Sequence, residues 1–504
     1  MSDTESYVYR YSWDRDDLMN YPFKDHYVKQ PEVLAYLEHV VDRHDLRRHM
    51  RFSTEMQSAD WSDDDHRWHI AVTGDKTLTA KYLITGLGLL SAKNFPDIPG
   101  LDTFAGDLHH TAAWPKDYCV DDKRVGVIGC GSTGVQVITD IAGKVKTLTC
   151  FQRHPQYSVP SGDQEVTPAY RHWINANWDA ILHRVRNSIT AFGFEESTTS
   201  YHDVSPAERT RIFEENWRKG NGFRFMFGTF CDLTTDAAAN EGACAFIRAK
   251  IDGIVLDPLK AAKLKPHDVY ARRPLCDGNV RNGESYFAQF NRANVEIVDL
   301  KATPIERVEA EGVRTADGGL YELDLLIFAT GFDAVEGNYT RVLIRGRGGR
   351  SLKEAWEEAG PTSYLGVCVP GFPNLFMING PKGAFTNQPP ALETQVEFIT
   401  AIIAQAEQEA RSRTDGVEAV PVIEAEAETE RAYSKLCEDL AADSLFWKAE
   451  DNWIFGANIP GKKRCLRFFF GGMKAYRDQL DKCVASGYAG FGPLSRGITA
   501  ASAC

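Results

Sequence analysis

Between Gln30 and Leu46 the apolar residues fall at helical spacing behind a proline near the first turn, which predicts an amphipathic helix. Residues 50–90 change period. The runs RFSTEMQSADW, RWHIAVTG and TLTAKYLITGLG are separated by the polar turns SDDD and GDK, which predicts a strand meander feeding an apolar strand that ends in glycines. A turn-rich stretch, NFPDIPGLDTFAG, leads out of this part. A new unit opens at Arg124 with RVGVIGCGSTGVQVITDIA, read as strand, glycine turn and a helix starting near Thr133. From about Pro168 to Leu264 the chain is helical and rich in aromatics. Strand-like runs return at 295–300 and 325–329, then at NLFMING, before a helix from Leu392 to about Arg411 and an acidic helix around Glu424–Glu438 with a solvated face.

This order predicts an α/β protein with three parts. Residues 1–120 form a first unit with the meander, 121–332 a nucleotide-binding unit with a helical insertion at about 165–265, and 333–504 a part that completes the first unit.

Composition narrows the class. A net charge of −13 argues against nucleic acid or an anionic membrane as the main partner. Eleven dispersed cysteines without a CxxC pair fit reduced thiols rather than a disulfide framework or a zinc site, so no metal is expected. The polar, acidic start is no signal peptide, no apolar run reaches spanning length, and Cys504 stands last, without a prenylation box. A cytoplasmic enzyme is expected.

Gly129, Gly131 and Gly134 form GxGxxG between an apolar strand and a helix. One glycine permits the turn, one admits a pyrophosphate to the backbone, and one lets helix and strand pack closely. Cys130, Ser132 and Thr133 complete this cofactor-binding turn, and the helix start offers N–H groups and a positive dipole end to phosphates. An NAD site usually has an acid about 20 residues on, for the ribose 2′-hydroxyl. Here the second strand ends in Gln152-Arg153-His154, and Arg153 suits the 2′-phosphate of NADP(H).

Phe104, Gly106, His110, Trp114 and Pro115 match FxGxxxHxxxWP just ahead of the glycine turn, and on these residues the chain resembles the Baeyer–Villiger flavin monooxygenases. FQRHPQYSVP (with His154 where a threonine is usual), ARRPLCDG, IFATGFDAVEGNY, NGPKGAFTN, WIFGANIPGKKR and GGMKAYRDQLDKCVASGYAGF are also similar to segments of that family. The resemblance implies a flavoprotein with two dinucleotide-binding, Rossmann-like domains that uses FAD, NADP(H) and O2 to turn a ketone into an ester or lactone. It makes Arg273 the catalytic arginine, puts Arg272 where a lysine often helps bind the 2′-phosphate, and puts Trp453 near nicotinamide and substrate. It also aims the N-terminus of the helix after TNQPPA at the flavin.

Two departures stand out. The family begins with a strand–GxGxxG–helix unit for FAD, and the sequence here starts inside the next segment. Ser2–Tyr9 resembles RCDxESxxY, so Asp3 falls on the partner of the catalytic arginine and Thr4 and Tyr9 on flavin-contacting positions. Asp3 is expected to be poorly anchored so close to the terminus. Either the coding sequence starts further upstream, or the chain is a catalytically impaired NADP-binding remnant. The second departure is NVRNGES (279–285), which lengthens the loop after Arg273. The identity of the ketone and the oligomeric state are not readable from the sequence.

Overall fold

The computed structural model describes residues 1–272, 274–277, 285–412 and 419–497. Among these, five parallel strands form the sheet that carries the glycine turn. Their order is Val295–Asp299, Thr147–Gln152, Arg124–Ile128, Leu325–Phe328 and Asp107–His110. Strict alternation along each central strand covers both faces. Val125, Val127, Leu148, Cys150, Leu325 and Ile327 point to the large core that includes the helix Ser132–Ile141. Ile128, Phe151, Leu326 and Phe328 point the other way, onto the antiparallel meander Ile305–Glu309, Gly312–Thr315 and Leu320–Glu322. A parallel strand buried on both faces reads as a continuous apolar run, which is why VGVI and LLIF are legible.

The insertion between Gln152 and Val295 is helical. Pro168–Ala176, Trp178–Asn187, Pro206–Lys219, Gly222–Gly228, Ala237–Ile254 and Pro258–Leu264 follow in order. Four of the six start at a proline or glycine, and Thr167, Ser205, Asn221, Asp236 and Asp257 each accept first-turn N–H bonds. The short parallel pair Ser158–Val159 and Leu275–Cys276 closes the insertion at its base.

The second nucleotide-binding part holds the antiparallel strands Met56–Ser62, Arg67–Val72 and Lys76–Ala80, with Leu343–Arg345 added in parallel. The expected strand TLTAKYLITGLG divides at Lys81–Tyr82, and its second half, Leu83–Thr85, pairs with Leu375–Met377. The helix expected over Gln30–Leu46 runs Gln30–Arg43, and Leu46–His49 form a separate short helix. The helix expected from Leu392 begins four residues earlier, at Gln388, with Pro389 and Pro390 inside its first turn. Prolines break the apolar period but are tolerated there, because first-turn N–H groups have no intrahelical acceptor. Among the described residues no helix is long and apolar enough to cross a membrane.

A buried ion cluster ties the end of strand Leu325–Phe328 to the C-terminal region. Arg467 is 1% exposed and donates from Nε (2.9 Å) and Nη2 (2.6 Å) to the Glu336 carboxylate, which Lys462 approaches at 2.8 Å. Burial pushes the Glu336 carboxyl up, but the two cations outweigh it and hold its pKa below the ordinary value. Arg467→Ala should therefore cost about 3–5 kcal/mol, because a buried carboxylate loses its main partner. Urea unfolding checks this, and the loss should shrink in the Arg467→Ala, Glu336→Gln double variant. Since the folded pKa of Glu336 is depressed, its contribution is full above the unfolded value of about 4.5 and is lost as pH falls through the folded one.

Candidate active site

The phosphate turn is defined by what a side chain would strike. A Cβ at Gly134 would lie 2.2 Å from the Gly129 carbonyl oxygen, and one at Gly129 (φ +102°) would lie 2.6 Å from that of Ala329. Helix, turn and the neighbouring strand thus touch backbone to backbone. At Gly131 a Cβ would meet nothing within 4 Å. Gly131 is the N-cap of the helix and has no side chain to accept its first-turn N–H groups. Open space in front of uncapped donors at a helix N-terminus fits a dinucleotide pyrophosphate. Cys130 is buried in the turn and donates to the His154 carbonyl oxygen (2.9 Å); burial pushes its thiol up to about 12, so it stays neutral.

Basic side chains from distant parts of the chain gather beside this turn. Arg153 and His154 follow the strand Thr147–Gln152, Arg272 precedes the strand Leu275–Cys276, and Lys301 follows Val295–Asp299. Arg153 and Arg272 both lower the thiol pKa of Cys130 by their charge, and Arg153, Arg272 and Lys301 all act on His154. Each has an acidic partner. Asp451 Oδ2 lies 3.0 Å from Arg153 Nη2 and 3.0 Å from His154 Nε2. Glu450 Oε2 accepts from Lys301 (2.8 Å), and Asp268 accepts from Arg272 (2.7 Å) and from the backbone N–H of Glu450 (3.2 Å). Burial lowers the His154 pKa, the Asp451 contact raises it, and the three cations lower it again, leaving it below the ordinary value. Trp453 opens the short helix Trp453–Phe455 next to these acids, half-buried and edge-on to Phe468.

The N-terminal segment is firmly held, contrary to the expectation for Asp3. Asp3 is 8% exposed, and its carbonyl accepts from Asn221 Nδ2 (2.8 Å), which also donates to the Tyr27 hydroxyl (3.1 Å). Ser2 donates to Val28, and the Met1 amino group donates to Gln136 on the helix Ser132–Ile141 (2.8 Å). Three distant partners fix the segment, so proximity to the terminus does not loosen it. The Thr4 hydroxyl donates to Asn387 Oδ1 (2.6 Å), immediately before the helix Gln388–Ser412. Tyr9 ends the short helix Ser6–Tyr9. The convergence of Thr4 and Asn387 at a helix start, whose dipole favours negative charge, fits the electron-accepting edge of a flavin.

Sequence reading missed two groups here. Glu5 accepts from Arg224 (2.8 Å) and from the Tyr170 hydroxyl (2.5 Å), pinning the N-terminal segment to the insertion. Asp277, 2% exposed, accepts from the backbone N–H groups of Ser161 (2.7 Å) and Tyr286 (3.4 Å), and burial pushes its carboxyl up to about 7. Asp277 lies in ARRPLCDG, but only its surroundings reveal its burial. Arg273, the expected catalytic arginine, and residues 278–284 of the lengthened loop lie outside the described residues.

The FxGxxxHxxxWP residues sit at a structural joint. His110 is buried at the end of the edge strand Asp107–His110, with its ring 5.0 Å from Phe95 and 5.9 Å from Phe332. A Cβ at Gly106 would lie 2.6 Å from the Asp324 carbonyl oxygen. Trp114 is not the core aromatic its residue type suggests: it is 38% exposed, edge-on to His109 and Tyr118.

A family model described as pyridine nucleotide-disulphide oxidoreductase matches residues 15–223. The chain is 48% identical over 489 residues to a Baeyer–Villiger monooxygenase of Pseudooceanicola batsensis, covering 97% of this chain and 86% of that protein. The chain belongs to the Baeyer–Villiger monooxygenases. It is also 46% identical to phenazine N-monooxygenase PhzNO1 of Lysobacter antibioticus, covering 97% of this chain and 87% of that one. The crystal structure of cyclohexanone monooxygenase from Rhodococcus sp. Phi1 bound to NADP+ superposes with a TM-score of 0.92 at 52% identity, covering 97% of this chain and 89% of that one. The match runs through nearly the whole chain.

The glycine contacts give a paired test. Gly134→Ala should lower the melting temperature and nucleotide binding together, since its Cβ has no room. Gly131→Ala should leave the melting temperature nearly unchanged but weaken NADP+ binding by roughly ten- to a hundredfold, the scale of one or two lost backbone hydrogen bonds. Thermal denaturation with fluorescence titration of NADP+ separates the two effects.

Proposed function

We propose that this chain is an FAD- and NADPH-dependent Baeyer–Villiger monooxygenase that inserts one atom of O2 beside a ketone carbonyl to give an ester or lactone. The observation that carries this reading is the 48% identity running over 97% of the chain to a Baeyer–Villiger monooxygenase. The balance is ketone, O2, NADPH and a proton giving ester, NADP+ and water. Bound FAD supplies the chemistry that takes hydride from NADPH and activates O2. The rest falls to the chain's own residues.

The turn Gly129–Gly134 holds the NADPH pyrophosphate, with Cys130, Ser132 and Thr133 forming its wall. Arg153, with His154 and Arg272 beside it, faces the 2′-phosphate, where a guanidinium offers two parallel charged hydrogen bonds. Arg273 would hold the negative charge that develops on oxygen as the ketone carbonyl is attacked. A permanently charged guanidinium does this without exchanging a proton. Asp3 orients Arg273, and the burial of Asp3 supports that role. Thr4, Tyr9 and Asn387 would hold the flavin, and Trp453 would stand near nicotinamide and substrate. The domain limits proposed are 1–120, 121–332 and 333–504, except that the edge strand Asp107–His110 belongs with the sheet of the second unit.

Ester formation by gas chromatography, alongside NADPH consumption, tests the reading on a panel of cyclic, linear and aromatic ketones with FAD added. Absence of ester from every ketone, with flavin bound and NADPH oxidised, would overturn it. Arg273→Ala should abolish ester formation and leave NADP+ binding intact; loss of binding with oxygenation retained would reverse the assignment. Arg153→Ala should raise the KM for NADPH far more than that for NADH, and equal effects would remove Arg153 from the 2′-phosphate.

A further inference from the structure

The strand Thr147–Gln152 ends without the acid that an NAD site would carry there, yet an acid occupies that place. Asp451 reaches it from the C-terminal region and bridges the two side chains that follow the strand, with Oδ2 at 3.0 Å from both Arg153 Nη2 and His154 Nε2. The flanking acid Glu450 holds Lys301 and contacts His154 Nδ1 at 3.5 Å, while its backbone N–H is tied to Asp268, the partner of Arg272. Among the described residues, Arg153, His154, Arg272 and Lys301 are therefore each engaged by a carboxylate from positions 268, 450 or 451. Asp451 lies in the left-handed region (φ 48°), which aspartate adopts more readily than most residues. Asn452 supports it from behind, donating to the carbonyls of Ala271 (3.4 Å) and Phe446 (3.1 Å).

We propose that Asp451 is a specificity-determining residue for the nicotinamide cofactor, a carboxylate that competes with the 2′-phosphate of NADP(H) for Arg153 and His154 and narrows the preference over NAD(H). This rests on the reading that Arg153 faces the 2′-phosphate. The chemistry is a direct exchange of anions. A 2′-phosphate must take the guanidinium from Asp451 and then sits beside a displaced carboxylate, and like charges at that distance repel. A ribose 2′-hydroxyl has no such conflict, since it can donate to the carboxylate that Arg153 already neutralises. Exchange is accessible because the Arg153 and Asp451 side chains are 58% and 39% exposed. A pair that open to water is weakly bound, so the phosphate can win the contest while losing part of its affinity to it.

Calorimetric titration of the full chain with 2′,5′-ADP and with AMP isolates the 2′-phosphate without any turnover. Asp451→Asn should bind 2′,5′-ADP about two- to fivefold more tightly than the parent, the scale of one partly exposed ion pair, and bind AMP equally or more weakly. NADP+ and NAD+ should follow the same order. Asp451→Ala, which keeps no hydrogen-bonding group, should give the same tightening, and it serves as the second variant if the first misfolds. Unchanged 2′,5′-ADP affinity in both variants overturns the proposal, as does an equal gain for AMP. Arg153→Ala measured beside them separates the two readings. If that variant binds 2′,5′-ADP like the parent, the phosphate site itself is misassigned; if it loses binding while the Asp451 variants are silent, only the role of Asp451 fails.

Discussion

The cofactor site depends on one steric constraint, the backbone contact between the helix Ser132–Ile141 and the turn that precedes it. With no Cβ at Gly134, the helix start closes onto the Gly129 carbonyl, and Gly129 in turn closes onto Ala329 of the neighbouring strand. Any side chain at either position would push the helix outward by ångströms, since backbone atoms cannot yield as a flexible side chain can. The consequence is directional. The helix dipole and its uncapped N–H groups are aimed at one open place, in front of Gly131, and the charges of Arg153 and Arg272 reach the adjacent Cys130.

An acidic protein that must bind a polyanion then has an electrostatic problem, met differently at two places. Beside the glycine turn, cations are paired with acids in partly exposed contacts, each worth about 0–1 kcal/mol, which an incoming phosphate can replace. The Glu336–Arg467–Lys462 cluster is sequestered from water, and no ligand could afford to break it. Burial, more than the identity of the charged residues, separates an exchangeable pair from a permanent one. The same distinction explains how the N-terminal segment stays fixed: Glu5, Arg224 and Tyr170 are largely shielded, so their bonds act as structure.

The fold was legible wherever burial produced a period. The strands Arg124–Ile128 and Leu325–Phe328 are apolar runs, and the first helix and the acidic helix show the 3.6-residue period. The strands Ile305–Glu309 and Asp107–His110 were missed because edge and meander strands alternate or turn polar, and IERVE or DLHH carries too little signal in a short window. The helix at Gln388 was read late because its prolines look like breakers. Of the candidate site, the glycines and Arg153 could be proposed from local motif spacing, and Arg272 from the family resemblance. Asp451 could not, because what brings it to Arg153 is tertiary, as with Asn221 beside Asp3. A rule that looks for an acid about 20 residues past the glycine turn cannot detect one delivered from some 300 residues away.

His110 shows how geometry limits the chemistry of a residue that a motif makes conspicuous. Its Nδ1 accepts the backbone N–H of Ala112 (3.1 Å), so that nitrogen carries no proton. Burial lowers the imidazole pKa, and Lys93 adds to this against the backbone contacts of Gly331 and Asn94. The lowered pKa favours the uncharged ring, which packs between Phe95 and Phe332. A general acid or base must change protonation during turnover, and doing so here would break the Ala112 bond and charge a ring among aromatics. The role that fits is mechanical. His110 ends the edge strand of the nucleotide-binding sheet, caps the turn that follows, and packs against Phe332 just beyond the adjacent strand, holding the approach to Trp114 at a fixed angle to the sheet. Substituting asparagine, which can still accept from Ala112 but lacks the ring, would separate the capping function from the packing one.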